Sequence, residues 1–472
     1  MQRLRTSSGA DSLPTTGHVP RATAGRWRML GGAPLAAVAT AYLAACGVAV
    51  APEAPGPEPV AKAVSFSVLE DYDKGADLTE VAADFRLMQE LEVDTWRGSW
   101  GWDDYEPEPG RYDFAWLHRF AELAEAHGIV LRPYIAYTAP WAARGGTDDQ
   151  YWNDPPRDVD AWARFVDTLV TAMAVHPNVL SYEIYNEQNV PLWWDGTRAE
   201  FAEVLIRGAA AVRAADPDAE VIVGGLVWPD AGWMEEICVD HGAASSFDIA
   251  PFHAYVETWF PPEQTVENFL GPDYRESYVA TLREACGAQP VWINELGFAT
   301  TPGNTETDQA RWWVRAVATF LAEPSVEHLG IYEIKDLPTD RPVIGDPVNY
   351  HLGITYADRR KKLAFHTLDL LTDLLDVGTL VVADRELAVR VVAGTAGDVY
   401  RHLFRRPDGT QVLFVWDRTG SPTLELRLAT PGRAAVEYAL DGAATRYAAF
   451  DGRTLRGVRL EPDAPRIFAI EP

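Results

Sequence analysis

The segment VLSYEIYNEQN, residues 179–189, has the most informative pattern of the sequence. Its first part is apolar and aromatic, which predicts a short buried strand over residues 180–185. The strand ends abruptly at two polar side chains, Asn186 and Glu187. An apolar strand with an acid at its carboxyl end is typical of a parallel barrel, because catalytic groups lie at that end of the strands.

A second segment, VWINELGF at residues 291–298, has the same form and ends in Asn294 and Glu295. The two glutamates are 108 positions apart (295 minus 187). At roughly 30 to 40 residues for each strand and helix, that gap spans three units of a barrel. Glu187 would then end strand four and Glu295 strand seven. Two carboxylates facing one another across a barrel mouth are the groups that cleave a glycosidic bond.

These segments resemble the glycoside hydrolases of clan A, which are retaining enzymes on a (β/α)8 barrel. The resemblance rests on the Asn186-Glu187 pair, on Glu295, and on His253 and Tyr255 in a His-Ala-Tyr segment that ends predicted strand six. It covers roughly residues 64–375. Similar segments recur in the xylosidase and iduronidase-like family 39 and in families 5 and 42, namely WDDYEPEPGRYDF at 102–114 and IVLRPYIAYTAPW at 129–141.

The resemblance implies a role for each of these residues. Glu187 would be the acid/base, with a raised pKa, and Glu295 the ionised nucleophile. Arg97, near the tip of strand two, would keep Glu295 charged, and Tyr255 could donate its hydroxyl to the same carboxylate. Asn186 would bind the sugar's 2-hydroxyl.

Each role has a simpler alternative. Arg97 could form a structural salt bridge, and His253 and Tyr255 could merely cap the barrel. Glu183 lies inside strand four on the alternating register, which favours a structural role over a catalytic one.

Aromatic side chains gather where the predicted strands end, and indoles stack on the apolar faces of sugars. We expect sugar contacts from Trp141 and from either Trp193 or Trp194. Strand eight reads IYEIKD, so Tyr332 stands where many clan members carry the tryptophan that floors the sugar site. We therefore expect Tyr332 to line the substrate site as well. Strand three also lacks the histidine that several relatives have there.

The chain order predicts an α/β fold with two domains. Eight alternations of strand and helix over residues 64–376 indicate a (β/α)8 barrel, closed by a helix at 357–375. From 379 to 472 the pattern changes to short strands and turns, which predicts a β-sandwich. We expect the sandwich to be a packing partner of the barrel. The alternative is a carbohydrate-binding module that uses Trp416.

The beginning of the chain predicts an export signal. Five arginines precede an apolar run at 29–45, which ends in Leu-Ala-Ala-Cys. That sequence resembles a bacterial lipobox, so residues 1–46 would be a lipoprotein signal and Cys46 would carry the lipid. Residues 47–63 would form a Pro-rich tether. An uncleaved anchor and an ordinary signal peptide are the alternatives, and all three put the protein outside the cytoplasm, at the bacterial cell surface or in the periplasm.

Composition limits the partners. A net charge of −28 excludes a broadly basic face for nucleic acid. Cys238 and Cys286 could form a disulfide in an exported protein or remain buried thiols. The Cys and His spacing is not of the zinc type, so we expect no metal and no cofactor. The expected partner is a carbohydrate, the membrane contact is the lipid alone, and the expected state is a monomer.

The sequence therefore predicts a retaining glycosidase that cleaves β-linked poly- or oligosaccharide by double displacement. The alternative is a cell-surface glycan-binding lipoprotein that keeps the scaffold without the activity. The presence of Glu187, Glu295 and Arg97 together favours the enzyme.

Overall fold

Eight parallel strand positions form the predicted barrel in the computed structural model. The first strand pairs in parallel with the second and with the eighth, and the bridges Ile222 to Ile249 and Leu226 to Phe252 join the fifth to the sixth, so the ring closes. The strands are β1 Val60–Leu69, β2 Thr95–Arg97 continued by Ser99–Gly101, β3 Val130–Leu131 continued by Tyr134–Ala136, β4 Ser181–Ile184, β5 Glu220–Val223, β6 Ala250–His253, β7 Val291–Leu296 and β8 Val326–Tyr332.

The structure describes only part of the chain, and its described residues fall in a single compact unit. The predicted signal segment with Cys46, and the tether as far as residue 58, lie outside the described residues. The described ranges are 59–146, 150–261, 263–287, 290–340, 343 and 345–472.

A helix follows each barrel strand and covers the outside of the ring. Side-chain caps fix several of the starts: Asp77 and Asp158 accept backbone N–H bonds, and Thr197 and Thr305 form capping boxes. The helices are α1 Leu78–Glu90, α2 Ala115–Ala126, α3 Val159–Met173, α4 Arg198–Ala215, α5 Ala231–Glu235, α6 Ala280–Ala285, α7 Glu306–Ala322 and α8 Leu363–Leu375.

The predicted start of the last helix at residue 357 is wrong by six residues. Thr355 forms bridges with both Lys335 and Lys361, so the chain folds back in a tight turn before α8 begins. The ammonium of Lys362 is fully buried, and it donates to Asp336 at 2.7 Å. This ion pair ties the start of the helix to the loop that follows β8.

The second domain is the predicted β-sandwich. Its strands are β9 Gly378–Val382, β10 Leu387–Ala393, β11 Val399–Arg405, β12 Gln411–Asp417, β13 Thr423–Leu428, β14 Ala434–Tyr438, β15 Ala444–Arg446, β16 Thr454–Arg459 and β17 Arg466–Glu471. One sheet has the order β15-β14-β17-β12-β11-β9 and continues into β1, and the other has the order β10-β13-β16. Sequence reasoning missed three of these strands, β9, β14 and β15.

The first strand belongs to both domains. Its residues Val60 to Val64 pair antiparallel with β9, and the following residues pair with β8 and β2 in the barrel. The strand therefore begins before residue 64, inside the segment predicted as tether. The sequence hides this because the polar Lys62 interrupts the apolar pattern. Its ammonium is buried against the backbone carbonyls of Glu323 and Val326.

A buried ionic cluster joins the sandwich to the barrel. Trp416 is fully buried, and its Nε1 donates to Glu267 at 2.9 Å. Arg418 of the sandwich binds Glu257 at 3.0 Å, and Arg315 of α7 pairs with both Glu257 and Glu267. The suggestion that Trp416 serves a carbohydrate-binding module is therefore wrong, because the barrel covers this tryptophan.

The two remaining cysteines form a disulfide. Cys238 and Cys286 are bonded, with their Cα atoms 5.5 Å apart, and they join the residues that follow α5 to the end of α6. This decides between the two alternatives that the sequence left open. Among the helices of the described ranges, none is both long and apolar enough to cross a membrane.

Candidate active site

The two predicted glutamates meet at the carboxyl end of the barrel. Glu187 follows β4, and Glu295 is near the end of β7. One carboxylate oxygen of each, together with a ring nitrogen of His253, lies within 4.8 Å of the others. Both side chains are nearly buried, with 9% of Glu187 and 6% of Glu295 exposed. The two acids are therefore close enough to act on one sugar ring.

The backbone that carries Glu187 is strained. Tyr185 and Glu187 have φ angles of +76° and +52°, in the left-handed region that side chains disfavour. The N–H of Glu187 donates to the carbonyl of Gly225 at 2.8 Å. A side chain at Gly225 would put a carbon 2.3 Å from His253 Nε2, so only glycine lets the segment after β5 pass this closely. Strain of this kind is concentrated at functional sites.

Glu187 is in an environment that favours its protonated form. Burial raises the pKa of its carboxyl, and the negative charge of Glu295 raises it further. His253 opposes this shift, because its Nδ1 lies 2.7 Å from a carboxylate oxygen of Glu187. The net direction is upward, as a proton donor requires.

Glu295 is in the opposite environment. Burial alone would raise the pKa of its carboxyl, but His253 and Arg97 outweigh burial and hold that pKa below its usual value. Arg97 Nη1 lies 2.5 Å from one carboxylate oxygen, and the hydroxyl of Tyr255 donates to the other at 2.7 Å. One carboxyl of the pair therefore tends to hold a proton and the other to be ionised.

Arg97 is itself held by Glu183. The guanidinium donates to both oxygens of Glu183, at 2.7 and 2.9 Å. Glu183 also accepts the N–H of Gly225 at 2.8 Å and the amide of Asn294 at 3.0 Å. Both interpretations of Arg97 are therefore compatible: it forms a structural ion pair on one side and binds Glu295 on the other.

Asn186 lies in the same network. Its side-chain oxygen accepts from Arg97 Nη2 at 2.7 Å, and its amide donates to the hydroxyl of Tyr137 at 3.3 Å. The ring of Tyr137 stacks on Trp193, with centroids 5.5 Å apart. Trp193 is therefore the member of the predicted tryptophan pair that approaches the site, whereas Trp194 is buried in the core.

Trp141 and Tyr332, the other aromatic residues predicted to contact the sugar, differ in their contacts. The indole of Trp141 packs on Trp102 and donates to the carbonyl of Glu106 at 2.8 Å, and none of the contacts described for it is with either glutamate. Tyr332 meets Tyr255 edge to face at 5.6 Å. The ring centroid of Trp259 lies 4.3 Å from that of Tyr255, and 40% of Trp259 is exposed. These three rings give the site an aromatic wall that is open to solvent.

Sequence reasoning missed two residues close to Arg97. The ring of Tyr134 lies 4.6 Å from the Arg97 guanidinium. The hydroxyl of Tyr134 donates to Asp71. A signal for Asp71 was available, because Glu70 and Asp71 directly follow β1 and so give it the form of an apolar strand with acids beyond its tip.

A cation could in principle be held by Glu187, His253 and Glu295, which are the donors of suitable type that cluster here. Each of them already has a polar partner, since Glu187 contacts His253 and Glu295 binds Arg97 and Tyr255. The arrangement is therefore explained without an ion. The expected absence of a metal stays a prediction.

Comparisons with known proteins find similar sequences among the glycoside hydrolases. The glycoside hydrolase family 42 profile, described as β-galactosidase, matches residues 73–144. Endoglucanase E-5 of Thermobifida fusca is 28% identical over 211 residues, which are 44% of this chain and 38% of that protein. The chain thus matches well under half the length of this curated relative.

Solved structures match over most of the chain. A family 39 glycoside hydrolase from Bacteroides cellulosilyticus has a TM-score of 0.64 at 16% identity, covering 87% of this chain and 81% of the other. A monomeric β-xylosidase from Caulobacter crescentus has a TM-score of 0.62 at 17% identity, covering 87% and 98%. These matches confirm the predicted barrel and the predicted resemblance to clan A glycoside hydrolases. In fold, and in these partial sequence matches, the chain is similar to glycosidases of this clan.

Proposed function

We propose that the protein is a retaining glycoside hydrolase that cleaves β-linked poly- or oligosaccharide by double displacement. The observation that carries the proposal is the pair formed by Glu187 and Glu295, whose nearest oxygens lie within 4.8 Å and whose pKa values are shifted in opposite directions. Retaining enzymes separate their carboxyls by about 5 to 5.5 Å, whereas inverting enzymes need about 6.5 to 9.5 Å to admit a water molecule.

The reaction would proceed in two steps. Glu295 attacks the anomeric carbon while Glu187 gives its proton to the leaving oxygen, which yields a covalent glycosyl ester on Glu295. Glu187, now ionised, then takes a proton from a water molecule, and the resulting attack on the same carbon breaks the ester. Glu187 ends protonated and Glu295 ionised, as both began.

The residues around Glu295 support its role. Arg97 and Tyr255 each bind one oxygen of its carboxylate, so the nucleophile is oriented and charged before the substrate arrives. Asn186 shares Arg97 with Glu295 and would bind the 2-hydroxyl of the sugar, a contact that strengthens in the transition state.

The substrate class is supported by the named relatives and by the aromatic wall. The relatives are described as an endoglucanase, a β-xylosidase and a β-galactosidase family, all of which act on β-linked sugars. Trp193 and Trp259 flank the site and provide stacking surfaces for sugar rings.

The test is the stereochemistry of the product. Proton NMR of the first turnovers on an aryl β-glycoside should show the β-anomer of the free sugar before mutarotation produces the α-anomer. An initial α-anomer would contradict the mechanism. If the protein binds oligosaccharides and releases no product from any of a panel of glycosides and polysaccharides, the non-catalytic alternative is correct.

We also propose that the protein is exported and anchored by a lipid on Cys46. The disulfide between Cys238 and Cys286 supports export, because such bonds persist mainly in oxidising compartments. Replacing Cys46 with alanine should move the protein from the membrane fraction to the soluble fraction of a bacterial host that processes lipoproteins. If the variant remains in the membrane fraction, the apolar segment is the anchor and the lipid proposal is wrong.

A further inference from the structure

A carboxylate that the proposed mechanism does not use lies at the same end of the barrel. Asp71 comes two residues after Leu69, the last residue of β1. Leu69 is paired in register with Arg97 of β2 on one side and with Tyr332 of β8 on the other. Asp71 therefore lies beyond the strand tips, between the arginine that binds the nucleophile and a tyrosine of the predicted substrate site.

Two hydrogen bonds fix the orientation of Asp71. Its Oδ1 accepts the N–H of Ser99 at 2.7 Å, and its Oδ2 accepts the hydroxyl of Tyr134 at 3.0 Å. The same Tyr134 ring lies against the guanidinium of Arg97. A single phenol ring thus separates Asp71 from the arginine that binds Glu295.

Asp71 is nevertheless open to solvent. Its side chain is exposed, yet the surrounding protein desolvates it enough to raise the pKa of its carboxyl. A group on the wall of a cleft satisfies both observations. Each carboxylate oxygen has further lone pairs that can accept hydrogen bonds from a ligand.

The groups around Asp71 are mainly acids, and burial raises the pKa of Glu70 to about 7 and the pKa of Glu333 well above its usual value. The carboxyls of Glu70 and Glu333 are nearly buried at the tips of β1 and β8, and each has one oxygen without a hydrogen-bond partner. The nearby cations are already paired with acids. Lys335 binds Glu70 and Asp84, and the donors of Arg97 are directed at Glu183, Glu295 and Asn186.

We propose that Asp71 accepts hydrogen bonds from hydroxyl groups of the sugar at the cleavage point, and that this sugar carries no carboxylate. A hydroxyl that donates to a carboxylate makes a charge-assisted bond, whereas the carboxylate of a uronic acid would be repelled by Asp71 and by the nearby ionised Glu295. A neutral pentose or hexose fits the site, and a uronic acid does not. The inference rests on the proposed glycosidase function and adds its substrate class.

The test compares substrates that differ at one position. Aryl β-glucoside and aryl β-glucuronide share a leaving group and differ only in the oxidation of C6, and aryl β-xyloside lacks that carbon altogether. For the wild type we expect kcat/KM on the best neutral glycoside to exceed that on the uronide by at least about 100-fold. Faster cleavage of the uronide than of the neutral glycosides would overturn the proposal.

Asp71→Asn tests the residue itself. The amide keeps the shape and can still accept the N–H of Ser99, but it removes the charge. We expect kcat/KM on the neutral glycoside to fall about 10- to 100-fold, and the ratio of uronide to neutral rates to rise at least about tenfold. The matched control is Asp73→Asn, an exposed acid of the same turn, which should change neither value. Unchanged discrimination in Asp71→Asn would overturn the proposal.

Binding measurements test the role of Asp71 independently of the proposed glycosidase activity. In a Glu295→Ala background, calorimetry should show a neutral oligosaccharide binding more tightly than its uronate counterpart, and Asp71→Asn should reduce that difference about tenfold. If the wild type cleaves nothing but this preference is present, the proposed function fails and the role of Asp71 remains. If cleavage depends on Glu295 but the preference is absent, the proposed function stands and the role of Asp71 is wrong.

Discussion

Glu295→Ala is expected to reduce turnover of aryl β-glycosides by about 10⁵-fold or more, the order of loss that follows removal of the nucleophile in a covalent mechanism. The reason is that its carboxylate would form the bond to the anomeric carbon, and neither Tyr255 nor Arg97, which bind it, can take its place. Steady-state kinetics with a sensitive fluorogenic substrate measures the loss.

The control for this variant is Glu220→Ala. Glu220 begins β5 at the opposite end of the barrel, where it is exposed and paired with Arg132. Its replacement should leave kcat/KM nearly unchanged. A Glu295→Ala protein that melts like the wild type and keeps more than about a tenth of its activity would rule out Glu295 as nucleophile.

Glu187→Ala should lose about 10²- to 10⁴-fold in kcat on substrates with poor leaving groups, and far less on activated aryl glycosides, because only the former need a proton. The loss on activated substrates should appear in the second step, which azide can accelerate by occupying the space that the carboxylate leaves. A glycosyl azide of retained configuration would be the product.

The pH profile gives a second measurement on Glu187. Glu295 must be ionised and its pKa is lowered, so activity should be lost only as the pH falls below the usual range of a glutamate. Glu187 must be protonated and its pKa is raised, so activity should be lost as the pH rises through that higher value. In Glu187→Ala the alkaline limb should disappear. If it persists at the same pH, another group is the acid.

The sequence predicted the barrel because its evidence was local and repeated. Each apolar strand that ended in an acid, such as the one before Glu187, gave the same signal, and the eightfold alternation fixed their order. The contacts that the structure adds connect distant segments. Arg97 and Glu183 lie 86 positions apart, and the bidentate pair they form could not be read from either strand.

The misses have similar causes. Trp194 lies near a strand end as a sugar-stacking residue would, but it packs on Tyr185 in the core, whereas the sugar contact of Trp141 stays a prediction. Strands β14 and β15 were missed because they are short and only partly buried, so their apolar pattern is weak. The start of β1 was missed because Lys62 is charged yet buried, with backbone carbonyls as its partners.

The ionic cluster around Glu257 makes the barrel depend on the sandwich for its structure near the active site. Glu257 comes two residues after Tyr255, and Arg418 reaches it from the sandwich. A chain shortened after α8 would lose this support together with the β9 partner of β1, and would leave the buried acid Glu267 with Arg315 alone. The sandwich therefore supports the loop that carries Glu257, and it is not an independent domain. A sandwich taken from a related enzyme would be expected to fit only if the loop that it contacts were exchanged together with it.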